Sequence, residues 1–160
     1  MPGSGKSTLG KKLAQSLHVP FFDLDAELER EEGRSVAAIF SEEGEAVFRE
    51  KEALGLRRLA DCKGIVACGG GTPCFHQNMD WMRENGTVIW IQLDEKTLWH
   101  RLHQGDGTKR PIWASWPEAE REERLRRMSE QRSAFYSQAH FIYNPLHDSP
   151  LQEWITQFFS

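Results

Sequence analysis

The chain has 160 residues, 28% of them charged, and a formal net charge of -4 at pH 7. That length suits a single domain burying roughly 70% of the surface of its unfolded form, and so balanced a charge gives no reason to expect a nucleic-acid or acidic-membrane partner. Cys62, Cys68 and Cys74 form no CxxC pair, which predicts reduced thiols and a cytoplasmic setting; no run nears the roughly 20 apolar residues of a membrane span, and no basic-then-apolar leader precedes the first motif.

Short apolar runs alternate with helical periodicity, an order that predicts a parallel α/β sheet in one domain, 1–160. Leu9, Leu13 and Leu17 recur at four-residue spacing and predict a first helix over about 6–17 with these leucines on its buried face. Phe21 and Phe22 open a short strand ending at Asp23. The run 65–68 is apolar without alternation and stops at Gly69-Gly70-Gly71, as a buried parallel strand feeding a loop does. The run 87–93 reads the same way. Asp94 caps the helix that follows, with Leu98 and Leu102 inward. Residues 104–117 hold Gly105, Gly107, Pro111 and Pro117, too much glycine and proline for a regular element, so a mobile loop is expected. Trp113 and Trp116 within it either pack onto a closed pocket or anchor the loop statically. Two helical stretches dense in Arg and Glu follow, then a strand at 141–143 and a terminal helix ending near Phe159. His100 and His103 are expected to be solvated, and Cys68 and Cys74 to be small buried residues.

Gly3-Ser4-Gly5-Lys6-Ser7-Thr8 is the end of the GxxxxGK[ST] pattern, in which successive backbone N–H groups wrap a polyphosphate at a helix N-terminus. The glycines avoid a Cβ that would block close approach. Lys6 would reach the β- and γ-phosphates of ATP, and the Ser7 hydroxyl would ligate Mg2+. Such a loop ordinarily follows a central strand, and no apolar run stands ahead of Met1, so the first strand is expected to be missing from the given sequence.

After this loop the chain resembles the shikimate kinase family over nearly its whole length. The resemblance rests on Phe22-Asp23-Leu24-Asp25, the stretch 33–52 (GRSVAAIFSEEGEAVFREKE), Gly69-Gly70-Gly71, Arg110-Pro111, and Arg132 with Tyr136. It implies a three-layer α/β P-loop kinase with a parallel sheet of order 2-3-1-4-5 flanked by helices. Within it lie a substrate-binding segment at about 25–54 and a lid at about 104–117. It also implies ATP- and Mg2+-dependent phosphorylation of the 3-hydroxyl of shikimate by a monomer whose partners are those two small molecules. Asp25 would bond the reacting hydroxyl, Asp23 would hold Mg2+ through water, and Arg110 would contact the transferring phosphate, with Lys109 as a possible substitute. Arg49, Arg132 and the N–H groups of Gly69, Gly70 and Gly71 would hold the shikimate carboxylate. Adenine would draw on the loop 144–147.

Blander roles stand beside these. Either aspartate could cap the next helix. If both lay on the strand, alternation would point them in different directions. Arg49 and Glu52 could be a solvated i,i+3 ion pair, and Arg132 could be one more surface charge beside Arg121, Arg124, Arg126 and Arg127. A kinase of another small hydroxy acid such as gluconate, or a non-catalytic nucleotide-binding homologue, are the alternatives. Lys6, Ser7, Asp25 and Arg110 together count against the latter.

Overall fold

Gly5 adopts a φ of 85°, a left-handed conformation that side-chain-bearing residues rarely take, and turns the phosphate loop into α1 (Lys6–Leu17). The computed structural model describes residues 1–104, 113 and 115–159. Leu13 and Ala14 are buried, whereas Leu17, expected inward but in the last turn before the left-handed His18, is 43% exposed and lines the cavity between the strands. Gly10 is where α1 lies tightest on the sheet: a Cβ there would stand 2.8 Å from the Phe21 ring.

The strands are short. β1 (Phe21–Asp23) and β2 (Ile65–Ala67) pair in parallel, Phe21 opposite Ile65. β3 (Ile89–Ile91) and β4 (Phe141–Tyr143) form a second parallel pair, Ile89 opposite Phe141. The described residues therefore form two separate pairs and not one five-stranded sheet. Between them a cavity of about 590 Å³ is lined by Val66 and Ala67 of β2, Ile89 and Trp90 of β3, and Leu13 of α1. Strand edges without a strand neighbour leave backbone groups to be satisfied elsewhere.

The helices position the rest. α2 (Leu24–Glu32) buries Leu24 and Leu28 against α3 (Val36–Arg58), whose first turn is capped by Ser35 accepting from the Ala38 amide at 3.1 Å. Gly44, at φ 83° and ψ 171°, breaks α3 into two pieces and lets the second, bearing Arg49 and Glu52, take its own direction. Leu28, Ile39 and Phe48 form the small core that holds this segment. After a single 3-10 turn at Thr72–Cys74 comes α4 (Asn78–Asn85); then α5 (Glu95–Gln104), α6 (Arg121–Tyr136) and α7 (Leu151–Phe159) complete the chain. Asp94 caps α5 as predicted, accepting from the Thr97 amide at 2.7 Å.

A second core joins Leu98 and Leu102 of α5 to Leu125 and Met128 of α6, with Trp113 buried among them. Trp113 also meets Trp99 edge-on at 5.5 Å between centroids, which ties it into this core. The third core packs Leu13 against Tyr143, Leu151, Trp154 and Ile155. Among the described residues no helix is long and apolar enough to cross a membrane.

Candidate phosphoryl-transfer site

The start of α1 carries no side-chain cap and no acidic residue in its first turn, so its amides and the positive end of its dipole face the loop unneutralised. Gly3 (φ 78°) and Gly5 shape the loop, and Ser4, 2% exposed, anchors it. Arg101 of α5 donates to the Ser4 carbonyl at 3.2 Å, bringing a second cation beside Lys6. Nothing in the sequence selects Arg101, since its partner lies 97 residues away. Thr8 follows on the exposed side of the first turn.

Asp23 stands at the N-cap position of α2, yet its side chain makes no cap hydrogen bond. Its Oδ2 instead accepts from Ser7 Oγ at 2.7 Å, so the hydroxyl and carboxylate expected to serve a cation are in contact. Two hard oxygen donors beside a phosphate loop suit Mg2+, which keeps most of its shell as water and phosphate oxygens. Asp25 is not on the strand, as the alternation argument supposed. It is the second residue of α2, because Leu24 is fully buried and already helical. Burial is the main cause that pushes the Asp25 carboxyl up to about 6; Lys6 opposes the shift, and Glu52, Asp23 and Glu29 add to it.

The glycine triplet is where the separate elements meet. A Cβ on Gly69 would lie 2.9 Å from Glu52 Oε1 and 3.3 Å from Asp25 Oδ1. One on Gly70 would lie 3.0 Å from Arg132 Nη1, and one on Gly71 only 2.5 Å from Arg49 Nη2. Each glycine thus lies against a different functional side chain, most tightly at Gly71, where a Cβ would meet three atoms of the Arg49 guanidinium at 2.5 to 2.8 Å. Tyr136 of α6 holds the loop in place, its hydroxyl donating to the Gly70 carbonyl, while burial pushes that phenol up to about 12.

Arg49 and Glu52 are not a solvated pair: they are 4% and 1% exposed and joined by an Nη1–Oε2 bond of 2.9 Å. The guanidinium also packs against the Phe48 and Phe75 rings, 5.0 and 4.5 Å from their centroids. Exposed Glu45 accepts from Arg49 Nε and Nη2 at 3.2 and 3.1 Å. On α6, Arg124, Arg126 and Arg127 are engaged in surface ion pairs, but among the described residues no carboxylate pairs with Arg132. Arg132 and Glu45 line a cleft of about 710 Å³ between α3 and α6.

Several expectations find no such support. Arg110, Lys109, Pro111, Gly105 and Gly107 lie outside the described residues. The turn after β4 is self-bonded, the Asn144 amide donating to Asp148 at 2.6 Å and the Leu146 amide to the Asn144 side chain at 3.0 Å, and nothing in it marks an adenine site. By contrast, His100 and His103 are both exposed, as expected, with the His103 ring tilted against Trp99 at 3.8 Å between centroids.

The comparisons with known proteins agree on one assignment. A family model described as shikimate kinase matches residues 2–160. A shikimate kinase of Bacteroides fragilis is 41% identical over 142 residues, which is 88% of this chain and 79% of that protein. The crystal structure of shikimate kinase from Bacteroides thetaiotaomicron matches with a TM-score of 0.86 at 36% identity, covering 99% of this chain and 91% of that one. A shikimate kinase from Acinetobacter baumannii in complex with shikimate matches with a TM-score of 0.83 at 28% identity, covering 98% and 86%. With its phosphate loop, paired aspartates and glycine triplet converging as described, and a family match spanning all but the first residue, the chain belongs to the shikimate kinase family and has its α/β P-loop kinase fold.

Proposed function

We propose that the protein transfers the γ-phosphoryl group of ATP to the 3-hydroxyl of shikimate, giving ADP and shikimate 3-phosphate. The observation that carries this reading is the triplet, which brings the Asp25 carboxylate, Arg132 and Arg49 onto three consecutive glycines close to the phosphate loop. Phosphoryl transfer asks a protein for alignment, charge neutralisation and a proton acceptor, and the site offers groups suited to each.

In this reading the amides from Gly3 to Thr8 cradle the phosphates and Lys6 neutralises the charge that grows on the β–γ bridge. The shikimate carboxylate docks on the fork of Arg49, on Arg132 and on the triplet N–H groups, a planar bidentate match. The ring hydroxyl is thereby set beside Asp25, which takes its proton as the hydroxyl oxygen bonds to the γ-phosphorus and the bond to ADP breaks. Ser7 and, through water, Asp23 would hold Mg2+, which would supply positive charge to neutralise the phosphates. Arg110 would reach the transferring phosphate from the 104–117 segment. The protein would work as a cytoplasmic monomer without nucleic-acid or membrane partners, in keeping with its near-balanced charge.

Arg49→Lys and Arg132→Lys test the acceptor half of the site. Each keeps a positive charge but loses the planar fork, so KM for shikimate is expected to rise about tenfold or more while KM for ATP changes less than about twofold. Equal increases for both substrates would assign these arginines a structural role and contradict the reading.

A further inference from the structure

Behind Arg49 runs a chain of buried polar contacts that phosphoryl transfer itself does not require. Glu52 divides its carboxylate: Oε2 accepts from Arg49 Nη1 at 2.9 Å and Oε1 from the Thr72 hydroxyl at 2.6 Å. Thr72 is fully buried and directly follows the triplet. Its carbonyl accepts from Asn78 Nδ2 at 2.8 Å, and Asn78, also fully buried, accepts on its own Oδ1 from Arg57 Nη1. Arg57, on the last turn of α3, is steadied by the Ala53 and His76 carbonyls at 3.1 and 3.0 Å and by the Trp81 ring at 5.3 Å. The contacts leave α3 at Arg57, pass through the start of α4 and the 3-10 turn, and return to α3 at Glu52.

From this geometry we infer that Thr72 and Asn78 are positioning residues for the acceptor carboxylate, acting through Glu52 on Arg49 and anchored by Arg57; the inference rests on the function proposed above. The Thr72 hydroxyl is what keeps Glu52 from using both oxygens on Arg49. A carboxylate beside a guanidinium otherwise favours the bidentate fork–fork arrangement. Released from Thr72, Glu52 would compete for the Nη1–Nη2 edge of Arg49, the edge that faces Gly71 and that the acceptor carboxylate would need. Because Thr72 is contiguous with the triplet, the same bond fixes the distance between the guanidinium and the triplet amides. The site's two donor sets are thereby set as one unit before any ligand arrives.

Steady-state kinetics of Thr72→Val, Thr72→Ser and Arg57→Met against both substrates, with melting temperatures, tests this. Thr72→Val keeps the shape and removes the donor; it should raise KM for shikimate about tenfold while kcat and KM for ATP stay within about twofold, and Thr72→Ser should recover the parent KM within about twofold. Arg57→Met, at the half-exposed end, should fold normally and raise KM for shikimate about threefold. In an Arg49→Lys background Thr72→Val should add less than about twofold, since residues acting through one another are not additive. The inference is overturned by equal rises in both KM values, by no change in a folded variant, by failure of Ser to rescue, or by full additivity with Arg49→Lys. If Thr72→Val does not fold, Arg57→Met and Thr72→Ser decide alone: an unchanged KM in Arg57→Met, or a loss in Thr72→Ser, overturns it. Shikimate-dependent ADP release by the parent separates the two levels, because its absence sinks the proposed function along with the inference, and its presence with an unresponsive relay sinks the inference only.

Discussion

Lys6→Ala is expected to lower kcat with shikimate by at least about 10²- to 10³-fold, with the melting temperature little changed. Removing one fixed donor from developing charge in a water-poor site has effects of that size, and a lysine on the β- and γ-phosphates carries a full charge as well. Lys6 is half-buried at the first position of α1. It has a second effect that can be read independently: its charge opposes the upward shift of the Asp25 carboxyl. Without it that carboxyl should titrate at higher pH, so the residual activity of Lys6→Ala should rise later along the pH axis than the parent's. A variant within tenfold of the parent would remove the loop lysine from the mechanism.

Asp25→Asn should lower kcat by about 10²- to 10⁴-fold, the range typical of a positioned proton acceptor, while KM for ATP stays near the parent's. In the parent, kcat/KM for the acceptor should fall about tenfold per pH unit below about 6, where Asp25 becomes protonated. Stability should move the other way. The folded-state value is raised from 3.8 to about 6, so the fold favours the neutral carboxyl. That contribution is complete below 3.8 and is lost as pH rises through about 6, so at pH 8 the ionised Asp25 weakens the fold. Asparagine cannot ionise, and Asp25→Asn should therefore be more stable than the parent at pH 8, by about 1 to 3 kcal/mol, and indistinguishable from it near pH 3. A collapse of ATP affinity in this variant would move Asp25 to the cation site and reverse the roles of the two aspartates.

The parts legible in the sequence are those whose physics is local. Gly3, Gly5, Lys6 and Ser7 announce themselves because a phosphate loop needs those residue types at adjacent positions, and Asp94 announces the start of α5 by its own side chain. Burial is not local. Spacing puts Arg49 and Glu52 on one face of a helix but does not say which face is covered, and it is Phe48, Phe75 and the triplet that close over them. Leu17 fits the apolar period and is still 43% exposed, because it faces the open cavity between the two strand pairs and not a packed neighbour. The apolar run 87–93 promises a longer strand than Ile89–Ile91, since a run of that kind reports burial on both faces and not the length of the ladder. Thr72, Asn78 and Arg101 give no periodic signal whatever. Their partners lie 6 to 97 residues away, and only the folded chain brings them together.

The most direct measurement is ADP release by the purified protein with ATP and Mg2+, in the presence of shikimate, of gluconate, or of neither. Saturable release with shikimate, stoichiometric with a phosphorylated product and at least about a hundredfold above that with gluconate or water, is the expected result for a site that recognises a planar ring carboxylate through two arginine forks. Release independent of any acceptor, or faster with gluconate than with shikimate, would contradict it.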